Sequence, residues 1–187
     1  QMCIRDSLWG ALPYIAFTFL IVGTLVRFFY FERNWTTKSS QFLEKKQLRI
    51  ANPLFHFGLL CVIGGHVVGV LIPKTWTAAI GINDHMYHQG ALYMGAVAGL
   101  IFIVGFLLLM KRRFTVAELK VNTSRLDKWL YLFLTLAIFS GMAGTLLNAS
   151  GFFDYRVSIG PWFRSLISFM PDPSLMEGVP FMFKFHM

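Results

Sequence analysis

The chain is 187 residues long, 56% hydrophobic, 17% aromatic and only 14% charged, with a formal net charge of +8. That balance is too apolar for an ordinary soluble domain and points to a membrane protein. The basic residues cluster in two connections between apolar runs and not on a soluble face, which argues against a nucleic-acid-binding surface.

The opening seven residues, QMCIRDS, are read as an artefact or a disordered lead, and residues 8–187 as a single transmembrane domain. The first apolar run, 8–25 (LWGALPYIAFTFLIVGTL), is followed by charge and not by a small-residue cleavage site. It therefore reads as a retained span and not as a signal peptide. Further runs at 51–72, 87–110 and 129–147 complete four segments free of Lys, Arg, Asp and Glu. Each is close to the ~20 residues that a membrane-crossing helix needs. A fifth run starts at Val179 (VPFMFKFHM) and extends only to Met187. Nine helical residues rise about 13 Å, less than half the hydrocarbon thickness, so the chain is expected to stop inside a fifth span.

The connections carry the orientation. The first holds Arg27, Arg33, Lys38, Lys45, Lys46 and Arg49; the third holds Lys111, Arg112, Arg113, Lys120, Arg125 and Lys128. The second holds only Lys74, and the fourth only Arg156 and Arg164. By the positive-inside rule, connections one and three are cytoplasmic and the N-terminus lies outside. Trp9, Trp76 and Trp162 then mark the outer interface, and Trp35 and Trp129 the inner one. In VNTSRLDK, Thr123 or Ser124 is placed to cap the fourth helix, with Asp127 in its first turn. PWFRSLISFM spaces Trp162, Phe163, Leu166, Ile167 and Met170 along one helical face, as in a segment lying on the outer surface. Cys3 and Cys61 are lone thiols outside any disulfide framework or CxxC pattern. The fold class is all-α: an integral membrane bundle of four full transmembrane helices plus the start of a fifth.

Two histidines stand inside the second span. His56 and His66 are separated by about 15 Å of helix, each about 8–9 Å from its own membrane face. A polar side chain at that depth needs a partner, and the spans contain no carboxylate to supply one. A neighbouring helix's carbonyl is one candidate; haem iron, for which neutral imidazole is a good ligand, is the other. Gly58, Gly64, Gly65 and Gly69 thin the helix as a flat macrocycle would require, although glycines also mark helix packing. His186 falls at the depth of His66 in the fifth span, so these two can face one iron. No histidine occupies the inner half of spans one, three or four, so the ligand opposite His56 is expected beyond Met187.

At this point the sequence resembles a known family, the membrane cytochrome b (gamma) subunit of respiratory nitrate reductase. The resemblance is carried by SSQFLEKKQLRIANPLFHFGLLCVIGGHVVG, by the LPYIA…R pattern of the first span, by the basic KRR, and by the terminal F-x-F-[KR]-x-H. It implies five transmembrane helices and two b-type haems in the inner membrane of a bacterium or archaeon. The distal haem would take His66 and His186, and the proximal haem His56 with a fifth-helix histidine absent from this sequence. Quinol would be oxidised near the distal haem. Electrons would then pass inward to an iron–sulfur (beta) subunit and a molybdenum-containing catalytic (alpha) subunit that reduces nitrate. Two histidines per iron leave no open coordination site, which suits electron transfer.

Some members of the family place a lysine before helix three, near the quinol; the corresponding stretch here, GINDHMYHQGA, has none. His88 is the candidate to accept a proton or hydrogen bond from quinol, with Gly65 allowing the ring to approach. His85 and His88 otherwise simply face water and headgroups. Two other readings stay open: a related dihaem cytochrome b of a sulfite-reduction or heterodisulfide-type complex, and a haem-free helical anchor or transporter. The lack of carboxylates in the spans weakens the transporter.

Overall fold

The computed structural model describes residues 2–30 and 44–187. Among these residues every regular element is a helix. The short helix α1 (Met2–Asp6) passes through a π-helical turn, Ser7–Ala11, into α2 (Leu12–Tyr30), so the opening residues from Met2 onward continue the first span. Helix α3 (Lys46–His66) likewise runs into a π-helical turn, Val67–Leu71. After α4 (Lys74–Ala79) come α5 (Asp84–Thr115), α6 (Ala117–Val121) and α7 (Arg125–Leu147). Helix α8 (Ile159–Ile167), a 3-10 turn at Pro173–Met176 and α9 (Phe181–His186) complete the chain.

Four of these segments are long and apolar enough to cross a membrane: Ile4–Tyr30, Lys46–Leu71, Asp84–Thr115 and Arg125–Leu147. The bundle matches the expected architecture, with helices longer than the apolar runs. The third span is the clearest case. Asn83 caps it by accepting from the Met86 amide at 2.8 Å, and it continues through Lys111–Thr115 before Val116 turns extended. Ser124 caps α7 through a capping box shared with Asp127, as its sequence indicates.

Helices α3 and α5 approach most closely. A Cβ at Gly58 would lie 2.5 Å from the backbone nitrogen of Phe102, and one at Gly105 would lie 2.4 Å from that of Phe55. Two glycines thus exchange places with two backbones, the small-residue packing of membrane helices. Around them Phe102, Phe106 and Ile138 form a buried cluster that joins α5 to α7. Gly58 is accordingly a packing glycine, and so is Gly69, whose Cβ position lies 3.1 Å from the Tyr155 ring. Of these four glycines of the second span, only Gly64 and Gly65 have nothing within 4 Å of a Cβ.

A second cluster caps one end of the bundle. Ile159, Trp162, Leu166, Met176 and Val179 are buried there, with Trp9, Tyr14, Phe163 and Phe183 packed against them. The Trp162 indole donates to the Trp9 carbonyl at 2.8 Å, and the Tyr14 hydroxyl donates to the Leu166 carbonyl at 2.9 Å. These contacts hold the first span at its N-terminal end; none of α2 is buried within this chain. The amphipathic face of α8 is shorter than its sequence spacing suggests. Trp162 and Leu166 are buried, whereas Ile167 and Met170 are exposed. Helix α8 ends at Ile167 and Phe169 takes a left-handed conformation (φ 58°), which carries Met170 out of helical register.

The basic residues Arg33 and Lys38 and the tryptophan Trp35 lie outside the described residues, as do most of SSQFLEKKQ and the greater part of the first connection.

Candidate metal centre

His66 is the last residue of α3, at the junction with the Val67–Leu71 π-helical turn. Its Nδ1 lies 2.8 Å from the Val62 carbonyl oxygen, one helical turn back. A carbonyl only accepts, so Nδ1 carries the hydrogen and Nε2 keeps its lone pair. His56 repeats the arrangement, with Nδ1 2.8 Å from the Asn52 carbonyl oxygen. Both imidazoles of the second span therefore leave Nε2 with a lone pair that could bind a metal, a tautomer that a hydrogen bond at the other ring nitrogen commonly fixes.

The structure brings His186 to His66. Their ring centroids are 5.8 Å apart with 41° between the planes. A coordinated imidazole nitrogen sits about 2 Å from its metal, so two rings on opposite sides of one metal stand roughly 6 Å apart. His186 is half-buried against α7, with Nδ1 3.1 Å from the Ser140 hydroxyl oxygen. A Cβ at Gly141 would lie 2.7 Å from His186 Cε1, so only glycine admits the ring there. On the opposite helix, Gly64 and Gly65 beside His66 have nothing within 4 Å of a Cβ.

These features fit an iron already held in a macrocycle. Among the described residues no group of three His, Cys, Asp or Glu side chains could enclose a bare metal ion. An opposed pair of imidazoles supplies two axial ligands, which is what a haem requires. His56 is exposed on its helix, with the Phe55 ring edge-on at 5.2 Å. The other histidines do not oppose it: His66 and His186 face each other, and His85 and His88 lie in the first turns of α5.

His85 is exposed. His88 packs on the loop that follows α7, with Nε2 3.3 Å from the Ala149 carbonyl oxygen and against Gly151, whose φ of 73° needs glycine. The same capped end carries fixed charge. Lys74 Nζ is 2.8 Å from Asp84 and 3.0 Å from Asp154, and these hydrogen bonds, Asp84 first, hold its ammonium above the usual lysine range. Arg156 is buried, 3.7 Å above the Tyr87 ring, and donates to Thr77 Oγ1 at 2.8 Å. Burial pushes the neighbouring Tyr155 phenol up. Arg164 donates to the Val70 carbonyl at 2.7 Å, satisfying an acceptor in the last turn of the second span.

Sequence reasoning misses Ser140 and Gly141 as neighbours of this site. The available signal is a Ser-Gly pair inside an apolar span, the kind of small, polar step at which membrane helices meet.

The model of the nitrate reductase gamma subunit family matches residues 5–187. The chain is 47% identical over 180 residues to the nitrate reductase gamma chain of Bacillus subtilis (strain 168), covering 96% of this chain and 81% of that one. It is 38% identical over 184 residues to the nitrate reductase-like protein NarX of Mycobacterium tuberculosis, and there it spans 28% of the relative's length. With the respiratory nitrate reductase 1 gamma chain of Escherichia coli (strain K12) it shares 27% identity over 177 residues, 94% of this chain and 78% of that one.

Proposed function

The chain belongs to the nitrate reductase gamma subunit family, the membrane electron-transfer subunit of that enzyme, and from this premise we propose that it oxidises quinol and relays the electrons through two bis-histidine b-type haems. His66 and His186 would hold one haem, and His56 would help to hold the second. The electrons leave at the basic end of the bundle, toward an iron–sulfur subunit and a molybdenum-containing subunit that reduces nitrate. Under the positive-inside rule that end is cytoplasmic, in the inner membrane, and the capped end faces outward.

One observation carries the reading: His66 and His186, from two different helices, stand 5.8 Å apart with both Nδ1 atoms engaged elsewhere. Bound between them, a haem supplies one-electron chemistry without an open coordination site. The protein's own part is to orient the rings. Val62 and Asn52 fix the tautomers of His66 and His56 through their carbonyls. Quinol approaches His66 along the open flank at Gly65. His88 takes a proton: the Ala149 carbonyl holds its Nε2–H, which leaves Nδ1 with a lone pair.

Reduced-minus-oxidised spectra of the natural complex test the proposal. Wild type should show two b-type haems; His66→Ala and His186→Ala should each lose the same one, and His56→Ala the other. Both haems surviving in His66→Ala or His186→Ala would overturn the pairing, and a wild-type complex without b-type bands would overturn the function.

A further inference from the structure

We infer that Ser140 is a positioning residue for His186: its hydroxyl, on α7, accepts the Nδ1–H of His186, on α9, and so turns Nε2 toward the metal. The direction follows from counting hydrogens. Ser140 Oγ lies 3.1 Å from the Ala137 carbonyl oxygen and 3.1 Å from His186 Nδ1. A hydroxyl has one hydrogen to give, and a carbonyl can only receive it. With the Ser140 hydrogen given to Ala137, the oxygen offers His186 a lone pair, and the Ala137 carbonyl beside it is a second acceptor for the same ring. In that arrangement Nδ1 carries the hydrogen of the neutral ring.

Ser140 is 7% exposed, so water does not stand in for it. Gly141, next in sequence, completes the seat, because a Cβ there would lie 2.7 Å from Cε1 and 3.1 Å from Nε2 of the same ring. Ser140 holds one edge of the imidazole and Gly141 leaves room for its body.

This makes the two imidazoles unequal. His56 and His66 take their tautomers from carbonyls four residues back on their own helix, so any α-helix carrying them would orient them alike. His186 takes its tautomer from another helix, so the orientation of the ring depends on α7 and α9 being docked.

The inference rests on the haem assignment proposed above, and the experiment separates the two. In the natural complex, Ser140→Ala should shift the midpoint potential of the His66–His186 haem to more positive values, because a ring that loses the hydroxyl acceptor and keeps only the Ala137 carbonyl stabilises the oxidised iron less. Its low-spin electron paramagnetic resonance signal should move, and the haem should be held about 10- to 100-fold less tightly. The His56 haem should keep its potential, and Ser140→Thr, which retains the hydroxyl, should restore the first haem. Should Ser140→Ala not assemble, Ser140→Cys makes the same comparison with a similar volume and a weaker acceptor. An unchanged potential and resonance signal in the assembled variant would overturn the role of Ser140, while loss of the same haem in His186→Ala would leave the function standing. Both haems retained in His186→Ala would instead overturn the pairing of His66 with His186 on which the inference rests.

Discussion

Gly58 and Gly65 stand on one helix and face different constraints. At Gly58 a methyl group would lie 2.5 Å from the Phe102 backbone, which has no rotamer with which to yield. Gly58→Ala must therefore push α3 from α5, and overpacking of this kind costs about 1–3 kcal/mol. At Gly65 the same methyl meets nothing within 4 Å. Gly65→Ala should leave the thermal unfolding midpoint of the purified protein no lower than wild type, while raising KM for quinol. Unfolding curves in detergent, with quinol kinetics alongside, read both effects; a Gly58→Ala midpoint equal to wild type would contradict the packing role. From the sequence these two glycines look alike, because composition records the missing side chain and not what occupies its place.

At the scale of elements, the four spans are legible from long runs without charge, since lipid tolerates nothing else across its core. Their ends are less so. Helix α5 continues to Thr115 because hydrogen bonding along the backbone does not stop where hydropathy does. Its last turns hold Arg112, 4% exposed, whose Nε donates to Glu44 Oε2 at 2.9 Å and whose Nη2 donates to the Glu44 carbonyl at 2.8 Å. That latch fixes the approach to α3 and pairs residues 68 apart, a contact no local pattern announces. The hydrogen bond from the Gln47 amide, with the Arg112 guanidinium, holds the Glu44 carboxyl below its ordinary value of 4.5. A lowered carboxylate stabilises the fold above its unfolded value and ceases to do so as pH falls through the lowered one. Hydrogen exchange at the first turn of α3 should consequently accelerate as pH drops below 4.5, after correction for the intrinsic rate. Glu44→Gln should show the faster exchange already at neutral pH. Equal exchange in the two proteins at neutral pH would rule the latch out.

Across the whole molecule, the capped end does for the first span and the last helix what the buried spans do not. Helix α2 has no buried residue, yet Trp9 and Tyr14 tie the first span to α8 through the Leu166 and Trp9 carbonyls and the 5%-exposed Trp162 ring. The same cluster contains Val179 and reaches Phe183, so it also sets where α9 begins and how far His186 travels toward His66. Arg164 fastens this cap to Val70, inside the π-helical turn that follows His66. Both imidazoles of the pair are thus referenced to one small cluster outside the spans. Removing its largest ring, Trp162→Ala, should cost roughly 3–5 kcal/mol of stability. Under the proposed pairing it should also loosen the haem held by His66 and His186 more than the one held by His56, because His186 lies in the first turns of α9, directly after the cluster residues Val179 and Phe183. Thermal unfolding and haem-resolved spectra of the same preparation measure the two effects together. Equal loss of both haems would mean that the variant unfolds as a whole and that the cap does not position His186 in particular.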